Sequence, residues 1–311
     1  MPRVFDRNNV ILLRINESDL NSFLIDTDIG DDGIRKYMLE EFTKVVMEVI
    51  PEYVFAHYEN EEINDLNAVS KLREAAHSIY KIKEFELMRR YYLYGDLEAK
   101  QELDNSSYKN RGEFGELILH LLLRDFKGTI PLISKVYFKD SSGVPAHGFD
   151  TVHISPNEKV LWLGESKFYS NGKVGIKKLL EDLEEHFKKE YLDEQFIIIK
   201  KNLECNEIPQ RQQWIEELSN CNKLGDKLNM INIPMLCTYE NDIYTKFEDL
   251  NEQDAINYHE LNVRELKKYF DDENKHPLKS RLNVILLLFP VKNKKELITL
   301  LHEKLWHMQS I

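Results

Sequence analysis

The sequence predicts an α/β protein with a mixed central sheet flanked by helices, preceded by a mainly helical N-terminal region. Three observations carry this. Residues 31–104 repeat apolar side chains at spacings of three and four. Residues 111–201 then run helix, three strands, helix, strand. Two more apolar runs and an amphipathic helix fill the C-terminal third. The polar run LDNSSYKN (103–110) reads as a junction, which divides the chain into a helical region, 1–105, and a core with a C-terminal strand–helix extension, 106–311.

The elements follow in order. GIRKYMLEEFTKVVMEVI and AVSKLREAAHSIYKI are helices of the first region, with Pro51 and NEEIND as punctuation. RGEFGELILHLLLRDF (111–126) is a helix whose stripe is Phe114, Leu117, Ile118, Leu121 and Leu122. PLISKVYFKD (131–140) is a strand and SSGVPAHG a loop. FDTVHIS (149–155) and KVLWLGESKF (159–168) are strands joined by a tight turn, Ser155-Pro156-Asn157-Glu158. VGIKKLLEDLEEHFKKEY (174–191) is an amphipathic helix and QFIIIKK (195–201) a short strand. MINIPMLCTY and LNVILLLFPV are strands. NKKELITLLHEKLWHM (293–308) closes the chain as a helix with Leu297, Leu300, Leu301 and Leu305 on one face.

Composition narrows the class. With 42% hydrophobic residues in 311, the chain can bury a sizeable core. The start, MPRVFDRNNV, has no apolar run of the signal-peptide kind, and VILLLFPV (284–291) is too short to span a bilayer. A soluble, cytoplasmic protein is expected. Cys205, Cys221 and Cys237 are widely spaced and read as reduced, structural thiols. The net charge of −12 argues against a generic nucleic-acid binder. Its distribution matters more: residues 1–105 carry −9, residues 106–201 carry +1 and residues 202–311 carry −4. A phosphate backbone can approach the middle third.

That third places charges in an apolar hairpin. If Ser155 and Glu158 close the turn, Asp150 lies opposite Leu163, with Glu165 diagonal to it at about 7 Å. Lys167 falls on the same face because side chains repeat every two residues, and a slip of one residue would separate the acids. Two carboxylates and an ammonium suit a Mg²⁺ (or Mn²⁺) ion, which takes oxygen ligands and keeps several waters. Asp150 and Glu165 would be ligands, with a carbonyl near Ser166 as a third. The ion would activate a water, and Lys167 would hold that water or steady charge on a phosphate. A plain salt bridge of these residues is the alternative, since 31% of the chain is charged.

Asp150 on one strand and Glu165-Ser166-Lys167 on the next resemble the signature of the PD-(D/E)xK nuclease superfamily. Its core order of helix, three strands, helix, strand matches the one read above. The resemblance implies a metal-supporting glutamate on the first core helix. RGEFGE offers Glu113 and Glu116, and Glu116 fits the pattern better. Phe149 stands where the superfamily's name has a proline. More widely, RGEFGE, HGFDTVH, LWLGESKFY and the late LLLFPV…LITLLHEKL segment, spread over residues 105–310, resemble the HamA family, effectors of Hachiman anti-phage defence. That resemblance implies a DNA-degrading nuclease working with a superfamily 2 helicase partner, HamB, and restrained until infection. A nuclease acting on RNA or on one nucleic-acid structure is an alternative, as is a non-catalytic adaptor on a decayed nuclease fold.

Weaker signals surround the motif. His147 precedes the first acid and can touch substrate. His153 faces away from it and reads as structural. His120 lies one turn beyond Glu116 and reads as a core histidine, with orienting Glu116 as the alternative. Lys173, Lys177 and Lys178 can contact phosphates or belong to a solvated face paired with Glu181 and Asp182. GVPAHGFD lacks the Lys-Ser/Thr of a phosphate loop, DTDIGDDG departs from a calcium loop, and HEKLWH is one residue too long for a zinc helix.

Overall fold

The computed structural model describes residues 10–55, 66–80, 83–105, 113–134, 148–155, 158–205, 210–221 and 223–310. Its strands are β1 (Ile11–Asn16), β2 (Leu20–Ile25), β3 (Thr27–Ile29), β4 (Arg35–Tyr37), β5 (Ile130–Ser134), β6 (Thr151–Ser155), β7 (Val160–Tyr169), β8 (Ile231–Glu240) and β9 (Asn283–Val291). Seven of them form one mixed sheet in the order β1-β2-β9-β8-β7-β6-β5. β7, β8 and β9 run parallel at its centre, and β6 and β5 add antiparallel to β7. The central strands are continuous apolar runs because both faces are covered.

The N-terminal region is less helical than its sequence predicts. Helices Leu39–Glu48, Ile50–Phe55, Ala68–Tyr80, Lys83–Tyr94 and Leu97–Asn105 are there, but β1 and β2 precede them and extend the main sheet. β2 pairs parallel with β9, Leu20 lying beside Leu286. Leu20, Phe23, Leu24 and Ile25 are all buried there. β3 and β4 make a separate small ribbon.

QFIIIKK is not a strand. It lies inside the helix Lys189–Cys205, where Leu192, Phe196, Ile199 and Leu203 are buried and Ile197 is exposed. The helical period wins over the short apolar run, a known ambiguity of such runs. The strand beside β7 is therefore β8. It is reached through the helices Gly172–His186, Lys189–Cys205, Arg211–Asn220 and Leu224–Asn229. Of the strand expected over 131–140, residues from 135 on lie outside the described residues.

Helices cover both faces of the sheet and make two cores. One joins the helices Leu39–Glu48, Ile50–Phe55, Glu113–Lys127 and Lys294–Ser310 to Trp162, Phe168, Leu236 and Phe289. The other joins Gly172–His186, Lys189–Cys205 and Gln253–Glu273 to Leu161, Leu163, Met235 and Cys237. Residues that alternate along β7 thus face different helices.

Candidate active site

β6 and β7 pair in a register that differs from the predicted one. Ser155 pairs with Val160 and Thr151 with Gly164. The predicted pairing is shifted by two residues, because the connection runs on through Lys159, at φ 54°. A shift of two preserves the alternation of faces. Continued by one position, it sets Asp150 across from Glu165 rather than from Leu163.

Two helices clasp this end of β7. Gly115 of the Glu113–Lys127 helix lies against Ser166 and Phe168, where a Cβ would stand 3.2 Å from Ser166 Oγ. The Gly172–His186 helix starts at Asn171, whose Oδ1 accepts from Val174 N at 3.2 Å. It packs so tightly that a Cβ on Gly175 would stand 2.6 Å from Cys237 Sγ. That contact fixes where the helix's later turns, with Asp182 and His186, meet the odd-numbered residues of β7.

Each charged residue then finds partners. Asp150 stands just before β6, buried, and its Oδ2 accepts from Ser166 N at 2.8 Å and Ser166 Oγ at 2.9 Å. Glu165 is 2% exposed, and its Oε1 meets His186 Nδ1 at 2.6 Å. Lys167 pairs with Asp182. Glu116 accepts at Oε2 from the Tyr53 hydroxyl at 2.7 Å. Glu165 and Lys167 share a face. Asp150 is gripped at the strand end by Ser166, whose side chain lies toward the Glu113–Lys127 helix.

The electrostatics follow from burial and like charge. Burial, then the Asp150 carboxylate, push Glu165 up to about 7 against the opposing pull of His186. Burial works against the Lys167 ammonium, but Asp150, Glu165 and Asp182 together hold it above its ordinary value. Burial likewise opposes a charged His186, but its bond to Glu165 together with the charges of Glu165, Asp182 and Asp150 outweighs that and raises it. Burial and the nearby Glu116 and Asp150 carboxylates keep the Tyr53 phenol protonated and donating.

His186 is absent from the reading of the sequence, and Asp182 enters it only as a surface partner for the helix lysines, not for Lys167. Their one linear signal is a spacing of four on the helix after the motif strand, which puts them on one face. Two rings set the His186 imidazole: Tyr191 stacks on it at 4.6 Å and Phe149 meets it edge-on at 5.8 Å.

Other expectations resolve less centrally. His153 is a buried structural residue, bonded to His120 Nδ1 at 3.0 Å and Thr129 Oγ1 at 2.7 Å and pushed by burial down to about 3. His120 is bonded to His153, and its ring packs against Tyr53. Lys173 and Lys177 are exposed on the first turns of their helix, Lys173 standing over the Tyr269 ring at 5.8 Å. Lys178 pairs with Glu181. His147 lies outside the described residues.

The donor set bears on a metal. Among the described residues, no group of three or more His, Cys, Asp or Glu side chains is assembled to hold an ion. Asp150, Glu165 and Glu116 therefore do not form a closed cage. Mg²⁺ does not require one, since one or two carboxylates with waters and phosphate oxygens suffice. Two buried, mutually repelling carboxylates are what a divalent cation would relieve. The residues fit such an ion with Asp150 and Glu165 as the pair.

The chain matches the HamA family over residues 4–305. It belongs to that family. Membership points to a component of the Hachiman anti-phage defence system, as the motifs around the hairpin suggest. A comparison with curated proteins finds no match. Among the described residues, no helix is long and apolar enough to cross a membrane.

Proposed function

We propose that the chain is a metal-dependent deoxyribonuclease with a PD-(D/E)xK core, the effector of a Hachiman complex with a helicase partner. One observation supports this above others. Two buried carboxylates, Asp150 and Glu165, converge at one end of β6 and β7 with the Lys167 ammonium beside them. Repelling acids in a low-dielectric site cost stability and are kept where they act on something.

When bound, a Mg²⁺ or Mn²⁺ ion would supply Lewis acidity to a phosphate oxygen and acidity to a bound water. Asp150 and Glu165 would hold it. Ser166 fixes one Asp150 oxygen through two hydrogen bonds, so the carboxylate does not swing. His186 fixes Glu165 in the same way. Lys167 stays charged among three acids and offers its ammonium to the attacking water or to the phosphate. Glu116, on the neighbouring Glu113–Lys127 helix, would accept from water around the ion. Exposed Lys173 and Lys177 sit where a backbone phosphate can reach them without reading sequence.

The deciding assay is cleavage of single-stranded DNA, double-stranded DNA and RNA by the chain purified with its helicase partner, with Mg²⁺ and ATP. Glu165→Ala and Lys167→Ala are expected to fold normally and to lose DNA cleavage by at least about a thousandfold. Cleavage by both at the parental rate sinks the reading. Cleavage of RNA alone replaces DNA with RNA as substrate, and absence of any divalent-ion binding favours a non-catalytic adaptor.

A further inference from the structure

We propose that Tyr53, from the N-terminal helices, is a positioning residue for the Asp150–Glu165 site, holding the Glu116 carboxylate by a hydrogen bond. The assignment rests on the metal-site reading above and deepens it. Tyr53 is one of the largest fully buried side chains, and its hydroxyl stands 2.7 Å from Glu116 Oε2. Its ring rests edge-on against His120 at 5.7 Å. His120 is bonded in turn to His153, and His153 to Thr129, so the ring has a rigid floor.

The neighbouring residue strengthens the point. Glu52 is buried too and pairs with Arg124 on the same Glu113–Lys127 helix. Two consecutive residues of a six-residue helix thus grip one long helix at Glu116 and, about two turns on, at Arg124. So short a helix has no stability of its own, and docking sets its position. A phenylalanine would fill the same space as Tyr53. The hydroxyl adds only a donor aimed at a carboxylate.

The choice of donor has chemical meaning. Lysine or arginine there would neutralise Glu116 and compete with a cation. A neutral phenol orients the carboxylate without bringing a positive charge of its own. The site then depends on a residue far from the motif in sequence, in a region that reads as a separate helical part.

The test uses the full chain, Mn²⁺ alone as probe, isothermal titration for affinity and circular dichroism for fold. Tyr53→Phe is expected to keep the fold and weaken Mn²⁺ binding about tenfold. Glu116→Gln is expected to weaken it about as much, and the double variant no further. Wild-type binding that disappears in Glu165→Ala but is unchanged in Tyr53→Phe overturns the Tyr53 assignment alone. Parental Mn²⁺ affinity in Glu116→Gln overturns it too, even if Tyr53→Phe folds poorly. A wild-type chain that binds no Mn²⁺ overturns the metal site and this assignment with it.

Discussion

Glu165 Oε1 stands 2.6 Å from His186 Nδ1, and Phe149 and Tyr191 hold the imidazole in that position. The bond joins the middle of β7 to the last turn of the helix that follows it. It partly offsets the burial and the Asp150 charge that drive Glu165 toward its neutral form.

A dependence on pH follows. The folded Glu165 titrates at about 7, against 4.5 for an ordinary glutamate, so the fold binds this proton more tightly than the unfolded chain does. The metal-free protein should lose stability as pH rises from about 4.5 to about 7, by about 3 kcal/mol from this group. His186, raised in the fold, acts in the same direction, since its favourable proton is lost as pH rises. Mg²⁺ binds the ionised pair, so its stabilisation should grow as pH rises through about 7 and then level off. Thermal unfolding from about pH 5 to about pH 8, with and without Mg²⁺, measures both. His186→Ala should move the midpoint upward, because it removes the group that lowers Glu165. A Mg²⁺ effect independent of pH would contradict the account.

Gly175 is expected to resist substitution by alanine even though alanine favours helices by about 1 kcal/mol. The added Cβ would stand 2.6 Å from the fully buried Cys237 Sγ. Overpacking of this kind costs about 1–3 kcal/mol and would lift the helix that carries Asp182 and His186. Gly175→Ala should lower both the denaturation midpoint and the affinity for Mg²⁺. Adding Cys237→Ala, which removes the clashing sulfur, should recover much of the affinity. If the double variant binds Mg²⁺ no better than Gly175→Ala alone, the clash is not the cause.

Arg124 and Glu52 form a largely buried ion pair between the short Ile50–Phe55 helix and the Glu113–Lys127 helix. Arg124→Ala takes the guanidinium away from a buried carboxylate, a loss of about 3–5 kcal/mol. Urea unfolding should show it. Arg124→Lys should recover only part, because lysine lacks the planar fork. A loss under 1 kcal/mol would place the pair with surface bridges.

The hairpin was legible because its signal is local. Alternation every two residues put Glu165 and Lys167 on one face, and apolar flanks marked the strands. The register was not legible. It depends on Lys159 taking a left-handed conformation that nothing about a lysine announces. QFIIIKK misled because short apolar runs suit both helix and strand, and only burial of every third or fourth residue separates them. The early strands went unread because β2 owes its place to β9 at the far end of the chain. His186 and Tyr53 stayed hidden for a related reason. Each acts on a site residue distant in sequence, through a contact that only the fold creates.

The pairing of Leu20 with Leu286 has a consequence for biosynthesis. The β1–β2 hairpin leaves the ribosome early, yet one edge of β2 can be satisfied only when β9 follows. Until then that edge offers unpaired amides and carbonyls to any passing strand. β9 is also the last strand of the sheet, so closure is a late, slow and long-range event. The nascent chain therefore passes through an open-sheet stage, in which chaperone access and temperature decide how much of it reaches the native state.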